Sequence, residues 1–245
     1  HYDALYEAYL NACLLLLAHR VPFDRGIPFQ LADNIDKQQG FAHFGGPQIL
    51  TLVTEVATRA LKAVRFQKFN VHRRARPEQV AGLLHRYVAK AEASLAPLHA
   101  LSEALSRPLT PPRKKAPVFG GDSILDRIRS HNVEQNRHPD RSGDDSAREP
   151  SYLLPMAFPE GSPMHPAYGA GHATVAGACV TILKACFDHG CPITSKTEGA
   201  WEADPKTHGR TLRPVAIDQP LTVEGELNKL AANISIGRNM AGVNY

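Results

Sequence analysis

Long apolar runs are missing from this 245-residue chain. The richest stretch, Cys13 to Ala18, stops at His19-Arg20, far short of the roughly 18 to 20 residues a membrane span needs. No basic leader opens it either. His1-Tyr2-Asp3-Ala4-Leu5-Tyr6 is already amphipathic, so no targeting segment is visible and a soluble protein is expected. The start at His1 in place of Met is expected of a piece of something longer. Charge of one sign is scarce: the formal net charge is +4, with no concentrated basic stripe interleaved with aromatics, so nothing argues for nucleic acid. Cysteine is scarce as well. Cys13, Cys179, Cys186 and Cys191 show no CxxC spacing. Cys179 and Cys186 fall two turns apart on one helix face, too far to bridge each other. Free buried thiols are expected, with a bridge to Cys191 left open. What remains is ordinary: 43% hydrophobic and 21% charged residues describe a globular chain long enough to bury a sizeable core.

Apolar residues at helical spacing predict a helix over 2–19, through Leu5, Tyr9, Leu10, Cys13, Leu16 and Leu17. Residues 20–47 are rich in Gly and Pro. Within them Asp33, Asn34 and Asp36 cluster oxygens that suit a hard cation such as calcium, and that equally suit turns and helix caps. A helix over 47–69 follows, opened by Pro47. The next runs from Glu78 to about Leu105 and is expected to bend at Pro97. Residues 106–165 form a long irregular stretch with a short helix over 122–130. An apolar helix is expected from Gly171 to His189, central and buried because it is apolar on most sides, with Gly190 as its C-cap. Leu212 to Ile217 reads as strand-like. Thr222 is a good N-cap for a last helix, Val223 to about Met240. The pattern predicts one all-α domain over 1–245, with irregular long loops.

Three stretches carry chemistry. Pro166-Ala-Tyr-Gly-Ala-Gly171-His172 leads from a turn into the apolar helix, where free N–H groups and a positive dipole end beside an imidazole suit an anion. Such Gly/Ala-rich starts also serve as packing devices. Lys68 and Arg76 lie in a basic helix end, Lys-x7-Arg-Pro; they read either as solvated residues complementing the dipole or as inward ligands of an oxyanion. Arg238 lies in Ser-x2-Arg-x5-Asn near the end of the last helix. Arg offers a planar fork and Lys a point charge, both suited to a tetraoxo anion. Neither Arg76 nor Arg238 has a carboxylate at a helical offset, since Gln79, Ile234 and Gly242 hold those places. The three cations are therefore expected to converge on the helix mouth that presents His172.

In these motifs the chain resembles the vanadium-dependent haloperoxidases, and most closely the bromoperoxidases of red algae and cyanobacteria. The likeness is densest in Lys68 to Glu78, in Ser162 to His172 and in Asn233 to Val243. It implies an all-α, helical-bundle architecture of the haloperoxidase and acid-phosphatase type. Members are longer, so the chain is expected to be a partial domain, most of the C-terminal half. By this resemblance Lys68, Arg76, Arg238 and the Gly171 N–H hold vanadate, a place phosphate or sulfate can take. His172 is the catalytic acid–base group and His165 tunes it. Arg65 stands where halide preference is influenced. Asp33 and Asp36 are the calcium candidates. Bromide and hydrogen peroxide are the implied substrates, giving a hypobromous-type oxidant that brominates organic nucleophiles. The implied assembly is a homo-oligomer, a dodecamer in the red algal type.

Two departures matter. The family has Ser-Gly-His where this chain has Ala170-Gly171-His172, and Gly-Val-His-Tyr where it has Gly242-Val243-Asn244-Tyr245. That His is the protein's one covalent ligand to vanadium, and an amide has no imidazole-like lone pair to replace it. The activity is expected to be impaired by Asn244 and Ala170. Two other readings stay open: a catalytically silent oxyanion-binding or assembly module, and an acid-phosphatase-like hydrolase. The hydrolase family has one residue fewer between Lys and Arg.

Overall fold

The computed structural model describes residues 4–29, 41–108, 122–136, 151–154, 162–195, 197 and 199–244. They are mostly helical and fall in two compact units, residues 1–73 with 168–245, and residues 74–167. The calcium candidates Asp33 and Asp36 lie outside the described residues.

The first unit is built on α1 (Glu7–Ala18), α2 (Gly46–Phe66), α6 (Gly171–Cys186) and α7 (Val223–Met240). The apolar periodicity read from sequence forms its core. α1 buries Tyr9, Cys13 and Leu16, α2 buries Ile49, Val53 and Ala57, α6 buries Val175, Ala176, Cys179, Val180 and Leu183, and α7 buries Val223 and Leu227. Each fully buried Leu or Val contributes about 1.5–3 kcal/mol relative to exposure. α6 packs against α1, α2 and α7. It is not enclosed on every side, however: Thr174, Gly177, Thr181 and Ala185 are exposed. All four cysteines are free thiols, so the bridge left open at Cys191 is not made.

α6 stops earlier than its apolar run suggests, and Gly190 is not its cap. Phe187 turns extended at φ −107°, ψ 155°. It pairs across an antiparallel bridge with Phe23, the two ring centroids lying 5.3 Å apart. The Asp24 N–H donates to the Cys186 carbonyl at 3.0 Å and the Asp188 N–H to the Pro22 carbonyl at 2.8 Å, so the chain after α1 takes over the helix end. The strand-like segment is real but shorter: β2 (Leu212–Val215) pairs antiparallel with β1 (Ala200–Ala203). Thr222 caps α7 as expected, its Oγ1 accepting from Gly225 N at 3.1 Å.

In the second unit the long helix expected from Glu78 to Leu105 is broken rather than bent. α3 (Pro77–Lys90) ends where Ala91 adopts the left-handed conformation at φ 52°. A 3₁₀ segment, Ala93–Leu98, carries Pro97 before α4 (His99–Leu105) begins. Proline has no N–H to donate, so it sits in that short segment and not inside an α-helix. α5 (Ile124–Asn136) is longer than expected. Its start is a reciprocal cap: Asp126 N donates to Ser123 Oγ at 3.1 Å while Ser123 Oγ donates to Asp126 Oδ2 at 2.6 Å. Asn132 Nδ2 then donates to the carbonyls of Ser151 and Leu153 at 3.0 and 2.8 Å, fastening the 151–154 segment to α5.

Candidate functional site

α2 does not end at Phe66. It runs on into one π turn, Gln67–His72, closed by Arg73 N donating to Lys68 O at 3.1 Å, with Arg73 left-handed at φ 42°. π turns are frequent at functional sites. Lys68 is the buried residue of this turn, 4% exposed, while Arg65 one turn earlier is exposed on α2. The basic end is thus not uniformly solvated: the chain takes Lys68 inward and leaves Arg65 outside.

The α6 start is built as the Gly-x-Gly-His motif suggests. Ala170 is the N-cap, extended at φ −77°, ψ 113°, and no side chain caps the helix. Thr174 returns to it twice, through N at 3.0 Å and Oγ1 at 2.9 Å, both on the Ala170 carbonyl. Gly169 packs closely on α2: a Cβ there would lie 3.3 Å from Val64 Cγ2. His172 is the second helical residue. Among the lining groups of a cavity of about 490 Å³ are His172 from α6 and Arg238 and Asn233 from α7. α1 supplies Glu7, Tyr9 and Asn11 to the same wall. Glu7 is exposed and solvated, whereas Tyr9 is 1% exposed. Burial, helped by neighbouring Cys179, pushes the Tyr9 phenol up to about 12, so it stays protonated and neutral.

Arg238 is fixed by the turn that follows it. Gly242 at φ 66° ends α7 in a Schellman turn, with Val243 N donating to Arg238 O and Gly242 N to Asn239 O, both at 3.0 Å. The turn folds Asn244 back on the helix end. Asn244 is 2% exposed, and its Oδ1 accepts from Arg238 Nε at 2.8 Å. The spacing Arg-x5-Asn is therefore the reach of one helix-terminating turn.

In the second unit Arg76 occupies the N-cap of α3, extended at φ −73°, ψ 150°, and is 4% exposed. Its N–H donates to Gln79 Oε1 at 2.9 Å. Its Nε donates to Glu78 Oε1 at 2.5 Å, and Nη1 donates to the His165 carbonyl at 3.4 Å, with His165 Nδ1 3.5 Å away. His165 Nδ1 lies 3.0 Å from the Pro166 carbonyl, which it can meet only as a donor. Arg76 thus does have a carboxylate partner. The helical offsets missed it because Arg76 stands outside the helix, where the residue two ahead comes alongside. Burial by itself raises the Glu78 carboxyl, but hydrogen bonds from Ser162 and Arg76 outweigh it and hold it below the ordinary carboxylate range.

The structure therefore groups the candidates as His172 with Arg238 and Asn244 in the first unit, where Lys68, Ala170 and Gly171 also lie, and Arg76 with His165 in the second. Arg65 lines neither described cavity; a second one of about 830 Å³ is lined instead by Gln67, His72, Tyr168 and Ala170. The His72 and Tyr168 rings meet edge-on there, 4.9 Å apart. Sequence reasoning missed Tyr9, Asn11 and Glu78. Only Glu78 had a local signal, its place two residues after Arg76. Among the described residues no cluster of three His, Cys, Asp or Glu could hold a metal ion, and no helix is long and apolar enough to cross a membrane.

No family model matches the chain. It is 51% identical over its whole length to the vanadium-dependent bromoperoxidases of Corallina pilulifera and Corallina officinalis. It is 34% identical, over 98% of its length, to that of Ascophyllum nodosum. It spans only 37% of each of these relatives. Among solved structures it matches the homohexameric second vanadate-dependent bromoperoxidase of Ascophyllum nodosum with a TM-score of 0.63 at 24% identity, covering 99% of this chain and 38% of that one. That likeness carries the helical fold.

Proposed function

We infer, for a chain related over its whole length to the vanadium-dependent bromoperoxidases, that it carries the oxyanion-binding part of a vanadate-dependent bromide peroxidase. The observation that supports this best is the cavity shared by His172 and Arg238, with Asn244 held against Arg238 by the turn after α7. The reaction is a two-electron oxidation: bromide, hydrogen peroxide and one proton give a hypobromous-type species and water, the O–O bond being cleaved so that one oxygen passes to bromine and the other leaves as water. The oxidant then brominates an organic nucleophile.

The residues fit vanadate as an anion and do not fit it as a coordinated metal. Lys68 and Arg238 supply cationic donors, and the α6 start supplies backbone N–H groups at the positive end of a helix dipole. The position that would bond vanadium holds an amide, and its oxygen already accepts from Arg238 Nε. Arg238, held through Nε by Asn244, adds its guanidinium to the cavity wall. Gly171, the first helical residue, adds a backbone N–H with no acceptor inside the helix. His172 faces the cavity as the group that accepts and returns a proton. By sequence resemblance Arg76 also serves oxyanion binding, and His165 tunes the site. Phosphate or sulfate would be held by the same donors. A homo-oligomer, twelve copies by resemblance, is the assembly proposed. Calcium at Asp33 and Asp36 rests on their oxygens alone.

The substitution at Asn244 also supports a second reading, a chain that binds oxyanions without turning over. Bromination of monochlorodimedone with vanadate, bromide and peroxide separates the two. We expect weak or no turnover by this chain, and a gain on Asn244→His with Ala170→Ser. Absence of turnover in the double variant, with phosphate and vanadate still bound equally, would establish the silent reading.

A further inference from the structure

We propose that Glu78 is a positioning residue for Arg76, setting the direction of the guanidinium that an oxyanion meets. The inference rests on the proposed role of Arg76 in oxyanion binding. Arg76 has no helix to orient it, because it stands at the extended N-cap of α3. A buried guanidinium on a flexible stem would sample several rotamers, and ordering it at the moment of binding costs affinity. Contacts from its surroundings remove that freedom. The backbone N–H is tied to Gln79 Oε1 at 2.9 Å, Nε to Glu78 Oε1 at 2.5 Å, and Nη1 reaches the His165 carbonyl at 3.4 Å. The ion pair is almost dry, with side-chain exposures of 4% for Arg76 and 14% for Glu78.

The geometry of the pair argues for orientation over neutralisation. Glu78 meets Arg76 through Nε, the donor nearest the stem. A carboxylate there fixes the plane of the fork at its root, next to the stem. Pro77 contributes: it starts the helix with a fixed φ, so Glu78 enters the first turn directly beside the N-cap side chain. The run Arg76-Pro77-Glu78 is then one device, a donor, a rigid spacer and an orienting acceptor.

The test measures anion affinity and the Arg76 side chain separately. Titration calorimetry with orthovanadate and with inorganic phosphate is run on the chain and on Glu78→Gln, Glu78→Asp and Glu78→Ala. An amide oxygen can still accept from Nε, so Glu78→Gln should stay within about threefold of the parent. Glu78→Ala should lose about tenfold or more, and Glu78→Asp, which withdraws the acceptor by one methylene, should lose several-fold; it serves as the reading if the Ala variant does not fold. In ¹H–¹⁵N spectra the Arg76 Nε–H, assigned by its disappearance in Arg76→Lys, should be slow to exchange in the parent and in Glu78→Gln. It should broaden or vanish in Glu78→Asp while backbone peaks elsewhere hold. Affinity that is unchanged or tighter in Glu78→Ala would overturn the proposal and make Glu78 a mere counter-charge. A parent that binds neither anion would overturn the oxyanion reading itself, and with it any role for Glu78 toward an anion.

Discussion

Replacing Ala170 by Ser should stabilise the chain and strengthen its hold on an anion, by two contributions that can be measured apart. Ala170 is the N-cap of a 16-residue helix, in extended conformation and without a side-chain cap. The amides of the first turn have no acceptor inside the helix. A Ser Oγ at this position accepts from the second or third helical N–H, those of His172 and Ala173. Changing Ala to Ser at an N-cap is worth about 1 kcal/mol, within a range of about 0.5–2. For a chain of this size that raises Tm by roughly 2–4 °C. The hydroxyl proton is left over and can donate to a bound oxyanion. A hydrogen bond to a charged group contributes about 1.5–3 kcal/mol, or about ten- to a hundredfold in affinity. Ala170→Gly is the control, since glycine is nearly as good an N-cap as Ser but has no hydroxyl. Thermal melts without ligand should rise for both variants, whereas phosphate affinity by calorimetry should rise for Ser alone. A Ser variant that melts no higher than the parent would refute the N-cap assignment. One that melts higher yet binds phosphate no better than the Gly variant would refute the α6 start as an anion site.

Gly242→Ala forces a Cβ into the left-handed conformation at φ 66°. It should cost about 1–2 kcal/mol, read as a lower denaturant midpoint with unchanged slope, and should free Asn244 from Arg238. The depressed Glu78 carboxyl gives a pH prediction. Its folded value lies below its unfolded one, so its contribution is complete above the unfolded value and is lost as pH falls through the folded one. Glu78→Gln should therefore flatten the stability profile below about pH 4.5, measured by urea melts across the acid range. Burial pushes the Cys13 and Cys179 thiols up to about 11, and both are fully buried. Ellman's reagent at pH 8 should titrate no more than two of the four cysteines promptly in the native chain, and all four once it is unfolded. Prompt reaction of three or more would contradict the packing of α1 against α6.

Much of this molecule is written locally. Residues three and four apart lie on one helix face whatever surrounds them, so the stripes of α1, α2, α6 and α7 were readable, as was Thr222, whose hydroxyl needs only the amide three residues ahead. Lys68, Arg76, His172 and Arg238 were legible as candidate oxyanion donors because side-chain chemistry does not depend on the fold. The rest depends on residues distant in sequence or on single backbone angles that side-chain identity does not dictate. Phe187 leaves the helix because Phe23 is there to pair with it. Tyr9 and Asn11 reach the cavity of His172 and Arg238 only because α1 packs on the core that α6 helps to build. The sequence determined which groups this protein can offer an anion. Tertiary packing decided which of them are buried and which hold each other in place, because burial and orientation are set by neighbours that the chain brings in from far away.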